Sequence, residues 1–252
     1  MAINLDSISR NTTLAPPRIV LHGPHGVGKT TFGAHSPSPI ILPTEDGLGA
    51  LDVAHFPLLK TYDEVMQAIG ALYEGEHDHQ VAVLDSVDWL EPLVWEQTCK
   101  RESWDNIESP GFGKGYIAAE REWRTLLDGF NALRDKGMAV LLIAHSQIKR
   151  FDAPDTEPYD RYQIKLQPRA SALIEEWADC VLFANFKTHI AKTDAGFNKK
   201  VVRGVGTGER VLYTEERPAY KAKNRYSLPP ELPLSWDTFA AALSPTPAAD
   251  AA

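Results

Sequence analysis

The sequence predicts an α/β fold, a mainly parallel twisted sheet flanked by helices, with an antiparallel hairpin added near the C-terminus. Three observations carry this. Short apolar runs alternate with amphipathic stripes of helical period along the 252-residue chain. A glycine-rich turn, GPHGVGKT (Gly23 to Thr30), joins the first apolar run to the first helix. A later run, VAVLD, ends on one carboxylate, Asp85, as a buried strand does when it delivers an acid to its carboxyl end.

The elements follow in order. RIVLHG (18–23) is an apolar strand ending in glycine, and a helix begins near Gly28. PIILPT (39–44) is a second short strand. TYDEVMQAIGALYEG opens with Thr61 as cap and Glu64 three residues on, a capping box before an apolar stripe. QVAVLDS is the third strand, with a helix after Asp85. YIAAEREWRTLLDGFNALRDKG reads as one long helix closed by Gly137, and MAVLLIAHSQ as the fourth strand. ASALIEEWADC is a helix, CVLFANFKTHI a strand and KTDAGFNKK (192–200) a hairpin turn. Two stretches, 101–115 and 149–161, are polar, rich in Pro, Gly or Asp, and longer than ordinary connections, so they read as functional or mobile loops. Residues 15–235 form one core after an N-terminal segment (1–14), and 242–252, ending SPTPAADAA, reads as a disordered tail. There is no internal repeat.

With 43% hydrophobic and 24% charged residues the chain reads as a soluble globular protein. No apolar run approaches the ~20 residues that span a bilayer, and no membrane partner is expected. The start, MAINLDSISRNTT, lacks a secretory signal. Cys99 and Cys180 stand far apart without metal-ligand spacing, as in a reduced, cytoplasmic protein. The net charge of -8 argues against wholesale coating of nucleic acid. Residues 185–225 nevertheless hold ten Lys/Arg against four acids, either a local anion-binding surface or a solvated hairpin face.

The run Gly23, Pro24, His25, Gly26, Val27, Gly28, Lys29, Thr30, followed by Thr31, fits GxxxxGK[ST] between a strand and a helix. Its backbone N–H groups would curl around the phosphates of ATP. Lys29 would meet the β- and γ-phosphates, while Thr30 and Asp85 would hold Mg²⁺. Asp85 has an alternative role as N-cap of the next helix. Ser86 follows Asp85, so no glutamate there can activate water. Asp88 and Glu91 fall within the helix and should point away. Glu45 and Asp46 follow the second strand; if another strand lies between the Gly23 and Asp85 strands, that end borders the γ-phosphate, and Glu45 is preferred over Asp46 as base. His145 and Gln147 share a side of the fourth strand's tip; Gln147 is the candidate nucleotide sensor and His145 a structural residue.

GPHGVGKTT, PTEDGLGALD, VAVLDSVDWL and LLIAHSQIK together resemble the RecA/Rad51 recombinase core over about residues 15–230. The resemblance implies a RecA-like ATPase fold with Glu45 as catalytic base and Gln147 as sensor. It makes 101–115 and 149–161 similar in position to the family's two DNA-binding loops. YKAKNRYSLP (220–229) resembles a segment that reaches a neighbouring subunit's ATP, which implies trans-acting Lys223 and Arg225 in a ring or filament of identical chains. GFGKGY, IEEWADCVLFANF and AKNRYSLP look like compact phage RecA-like ATPases of the Sak-type single-strand annealing group. That implies single-stranded DNA as partner, a single-stranded-DNA-binding protein as a further candidate partner, and the cytoplasm of an infected bacterial host.

Cations for phosphates and aromatics for bases would then come from Phe112, Lys114 and Tyr116 in the first loop. The second offers Lys149, Arg150, Phe151, Arg161, Tyr162, Lys165 and Arg169. Asp152, Asp155, Glu157 and Asp160 weigh against non-specific binding there. Competing functions are a loader adaptor, a helicase-type motor and a phosphate-loop kinase.

Overall fold

The computed structural model describes residues 4, 5, 8, 14–154, 157–194 and 200–243. Strands β1 (Arg18–Gly23), β2 (Pro39–Pro43), β3 (Val81–Asp85) and β4 (Ala139–Phe151) pair in parallel, β4 lying between β3 and β1. This is the inserted strand on which the preference for Glu45 depended. Beyond β1 come β6 (Cys180–Asp194), parallel to it, then β7 (Lys200–Tyr213) and β9 (Glu231–Pro233), each antiparallel to the strand before it. The expected C-terminal hairpin is β6–β7; its turn, 195–199, lies outside the described residues. Two short additions, β5 (Tyr159–Ile164) and β8 (Lys223–Asn224), pair with β4 and β6.

Both faces of the parallel strands are buried, which explains their near-continuous apolar runs. Alternation then divides them. Val20, Leu84 and Leu142 face α2 (Tyr62–Glu74), α3 (Val87–Glu102), α5 (Glu120–Asp135) and α6 (Pro168–Trp177). Leu21, Val83 and Leu141 face α1 (Lys29–Ala34) and α7 (Trp236–Leu243), which contribute Phe32, Trp236 and Phe239. The Thr61–Glu64 capping box forms as expected.

Three sequence expectations need correction. The helix read over 116–137 is two: α4 (Lys114–Ala118) ends where Arg101 donates to the Ala118 carbonyl at 3.2 Å and pairs with Glu122, and α5 starts afresh. The stretch 149–161 is not loop throughout: 149–151 end one strand and 159–161 begin another, with 155 and 156 outside the described residues. β4 runs on to Phe151 and pairs antiparallel with β5, from Ser146↔Ile164 to Phe151↔Tyr159. At the C-terminus α7 reaches Leu243, inside the expected tail, while 244–252 lie outside the described residues. Among the described residues no helix is long and apolar enough to cross a membrane.

Candidate nucleotide site

The carboxyl ends of β1, β2, β3 and β4 meet at a cleft of about 420 Å³. Gly26, Gly28, Lys29, Thr30, Thr31, Glu45, Asp85, His145 and Arg210 are among the residues that line it. The turn between β1 and α1 has the backbone that wraps an anion. Gly26 and Gly28 sit at φ 72° and 107°, where side chains are strained. A Cβ on Gly23 would lie 2.4 Å from the Ala184 carbonyl, so β6 can approach only a glycine there. Val27 anchors the turn by burying itself fully beside Phe32.

Lys29 is buried and donates to the carbonyls of Gly23 and Pro24 at 3.1 and 3.0 Å. Burial lowers its pKa, and the charges of Asp85, Asp88 and Glu45 act against that. Thr30 donates its hydroxyl to Asp85 Oδ2 at 2.6 Å. Asp85 Oδ1 is buried with no hydrogen-bond partner. A buried carboxylate oxygen left in that state is costly unless a cation meets it, so Thr30 and Asp85 fit Mg²⁺. Among the described residues no group of three or more His, Cys, Asp or Glu could hold a metal. The remaining ligands would therefore be water and phosphate, as is usual for Mg²⁺. Burial, the largest influence, raises the Asp85 carboxyl above its ordinary range.

The tips of β2 and β3 are tied together. Thr44 N–H donates to the Asp85 carbonyl at 2.8 Å, and its hydroxyl bonds both the Ser86 carbonyl and the Ser86 N–H. This fixes Glu45 at the cleft, where burial and then the Asp85 charge raise its pKa. Asp46 is exposed and does not line the cleft. Asp88 does not simply point away: it accepts from His145 N–H and bonds the His145 ring, both at 2.9 Å. Burial pushes Asp88 up, but the His145 contacts outweigh it and leave the carboxyl below its usual range. Glu91 accepts the Gln167 N–H at 2.9 Å, and burial raises it to about 7.

A family model for the AAA domain matches residues 15–226. The chain belongs to the AAA-domain family. No curated protein matches it. Among solved structures, one similar chain is the RadB recombinase, 16% identical, with a TM-score of 0.44 over 79% of this chain and 80% of that one.

Within this AAA domain several candidates sit elsewhere than the sequence suggested. Gln147 does not line the cleft; its amide donates to the carbonyls of Ile164 and Leu166, at the root of the β4–β5 hairpin. His145 occupies the strand tip instead, stacked on His25 with ring centroids 3.9 Å apart. Lys223 spends all three ammonium donors on the carbonyls of Glu175, Glu176 and Ala178, closing the C-terminal end of α6. Arg225 pairs with Asp179 at 3.2 Å and keeps its side chain half exposed.

The DNA candidates divide in the same way. Phe112 is fully exposed, and Lys114, Arg150, Lys165 and Arg169 are exposed. Lys149 is half-buried on β4. Tyr116 is half-buried, bonded to Glu108 and edge-on to Trp95. Arg161 is buried, held by Glu216 at 2.6 Å and lying over Phe151. It is therefore not a surface cation. Phe151 faces Tyr159 across the hairpin, and Tyr162 leans on Phe183. Sequence reasoning missed Arg210, which lies 180 positions beyond Thr30 and carries no motif of its own.

Proposed function

We propose that this AAA domain is an ATP-dependent single-stranded-DNA binding and annealing protein of phage homologous recombination, assembled as a ring or filament. One observation carries the reading. Lys29, Thr30, Asp85 and Glu45 line one cleft, and β4, whose His145 lines it too, continues into a hairpin bearing Lys149 and Arg150.

Lys29 would neutralise the β- and γ-phosphates, and Thr30 with Asp85 would hold Mg²⁺, which lends positive charge to the transferring phosphoryl group. Glu45 is the base that polarises water for in-line attack; its raised pKa suits that task. Asp88 acts through His145, keeping that ring in place at the tip of β4. The strand-binding surface is Phe112 with Lys114, Lys149, Arg150, Lys165 and Arg169. The exposed ring offers stacking worth ~1–3 kcal/mol per base. Arg225, half exposed, is the better placed of the two trans candidates to reach a neighbouring subunit.

Glu45→Gln is expected to bind ATP normally and to hydrolyse it about 10²–10⁴-fold more slowly in single-turnover kinetics. The functional test is oligonucleotide affinity, by fluorescence anisotropy, with ATP analogue, ADP or neither, alongside phosphate release with and without oligonucleotide. Tighter binding with the analogue and faster release with DNA are expected. Affinity indifferent to nucleotide would favour a loader adaptor or a kinase and end the annealing reading.

A further inference from the structure

Arg210 stands on β7, the second strand of the C-terminal hairpin, and its guanidinium enters the cleft at the phosphate turn. Nη1 lies only 2.9 Å from where a Cβ on Gly28 would be, so the fork is held directly against the turn's backbone. The strand is fixed there by β9: Leu234 N–H donates to the Arg210 carbonyl at 3.1 Å, and the Leu234 side chain reaches the same side of Gly28. The adjacent acid, Glu209, reaches toward Lys187 at 3.9 Å, and no carboxylate among the described residues forms an ion pair with Arg210.

The order of strands gives this cation a position along the nucleotide. Glu45, Asp85 and His145 come from the tips of β2, β3 and β4, all on one side of β1. Arg210 comes from β7, on the other side. With a nucleotide in the cleft as read above, the carboxylates and the Mg²⁺ oxygen would border the γ-phosphate end, and Arg210 the opposite, nucleoside-proximal end. The charges agree with this division. Lys29 already feels three carboxylates, Asp85, Asp88 and Glu45, so one lysine alone leaves a polyphosphate short of positive charge.

We propose that Arg210 is a second cation of the nucleotide site, supplied in cis, which grips the α- or β-phosphate seated on the Gly28 turn. This rests on the reading of the cleft as a nucleotide site and adds the residue that holds the part common to ADP and ATP. A planar guanidinium suits that task because its paired donors match two phosphate oxygens, which a lysine cannot reproduce. Because Arg210 lies on β7, such a contact would also join the C-terminal hairpin to the bound phosphates.

The test is calorimetric titration of the full chain with Mg-ADP and with Mg-ATP analogue, for the wild type, Arg210→Ala and Arg210→Lys. Thermal melts with and without nucleotide accompany it. Arg210→Ala should weaken both nucleotides about tenfold or more and by equal factors. Arg210→Lys should lie between it and the wild type. The melting temperature without nucleotide should hold, while the shift on adding ADP should shrink. Unchanged affinity in Arg210→Ala would overturn the assignment, as would a loss confined to the ATP analogue, which would place the guanidinium at the γ-phosphate. A wild type that binds neither nucleotide would instead overturn the underlying reading of the cleft.

Discussion

Lys29→Ala should lower ATP turnover by about a thousandfold or more, the scale of losing a charged group aimed at developing charge in a site shielded from water. Lys29 as a whole is 6% exposed, so its charge is poorly screened. Its removal leaves Asp85 and Glu45 facing a polyphosphate with no cation from α1 between them, and like charges repel. The two hydrogen bonds it loses go to carbonyls of its own turn, so the fold should survive. Steady-state phosphate release, with circular dichroism to verify folding, checks this. Turnover at the wild-type level in a folded variant would dismiss the cleft as the catalytic site.

The largest stability effect is expected at Asp179, between α6 and β6. Its carboxylate accepts from the Arg18 N–H and guanidinium, at 2.8–3.1 Å, and lies within 3.5 Å of Arg134 and 3.2 Å of Arg225. Burial pushes the carboxyl up, but the Arg18 bonds and the neighbouring charges outweigh it and bring the pKa down to about 2. Because the folded value lies below the unfolded one, the stabilisation is complete above about pH 4 and is lost as pH falls toward 2. It amounts to about 2 kcal/mol. Asp179→Ala also leaves Arg18, itself largely buried, without its partner, and should cost about 3–5 kcal/mol at neutral pH. For a chain of this size that lowers the melting temperature by roughly 6–20 °C. Arg225→Ala, at the exposed end of the same cluster, should cost under about 1 kcal/mol. Urea melts of both variants at pH 7 and pH 3 check it; the penalty at Asp179 must shrink at the lower pH.

Local chemistry made the core strands and the phosphate turn legible: apolar runs, a glycine pattern and a capping box each act over a few residues. What the sequence hid depends on partners far along the chain. KRF (149–151) looked like the start of a loop because its polar residues obscure a strand end, and β5 pairs with it only from Tyr159 on. Arg161 read as a surface cation, yet Glu216, 55 positions away, holds it inside. Gln147 and His145 obey the same two-residue period, but the hairpin's own carbonyls claim the Gln147 amide and leave His145 at the cleft. Lys223 looked free until the end of α6 presented three carbonyls to it. Glu45 reaches the cleft because its position depends on strand order: the condition that a strand lie between β1 and β3 is met by β4.

The uninterrupted course of β4 makes it a lever. From His145 to Phe151 there are six residue steps, about 20 Å at ~3.3 Å each. A tilt of about 10° at the cleft end would sweep the far tip through roughly 3–4 Å, comparable to the spacing between stacked bases. Small displacements where the γ-phosphate would sit are thus geometrically enlarged at Lys149 and Arg150 without any segment having to unfold.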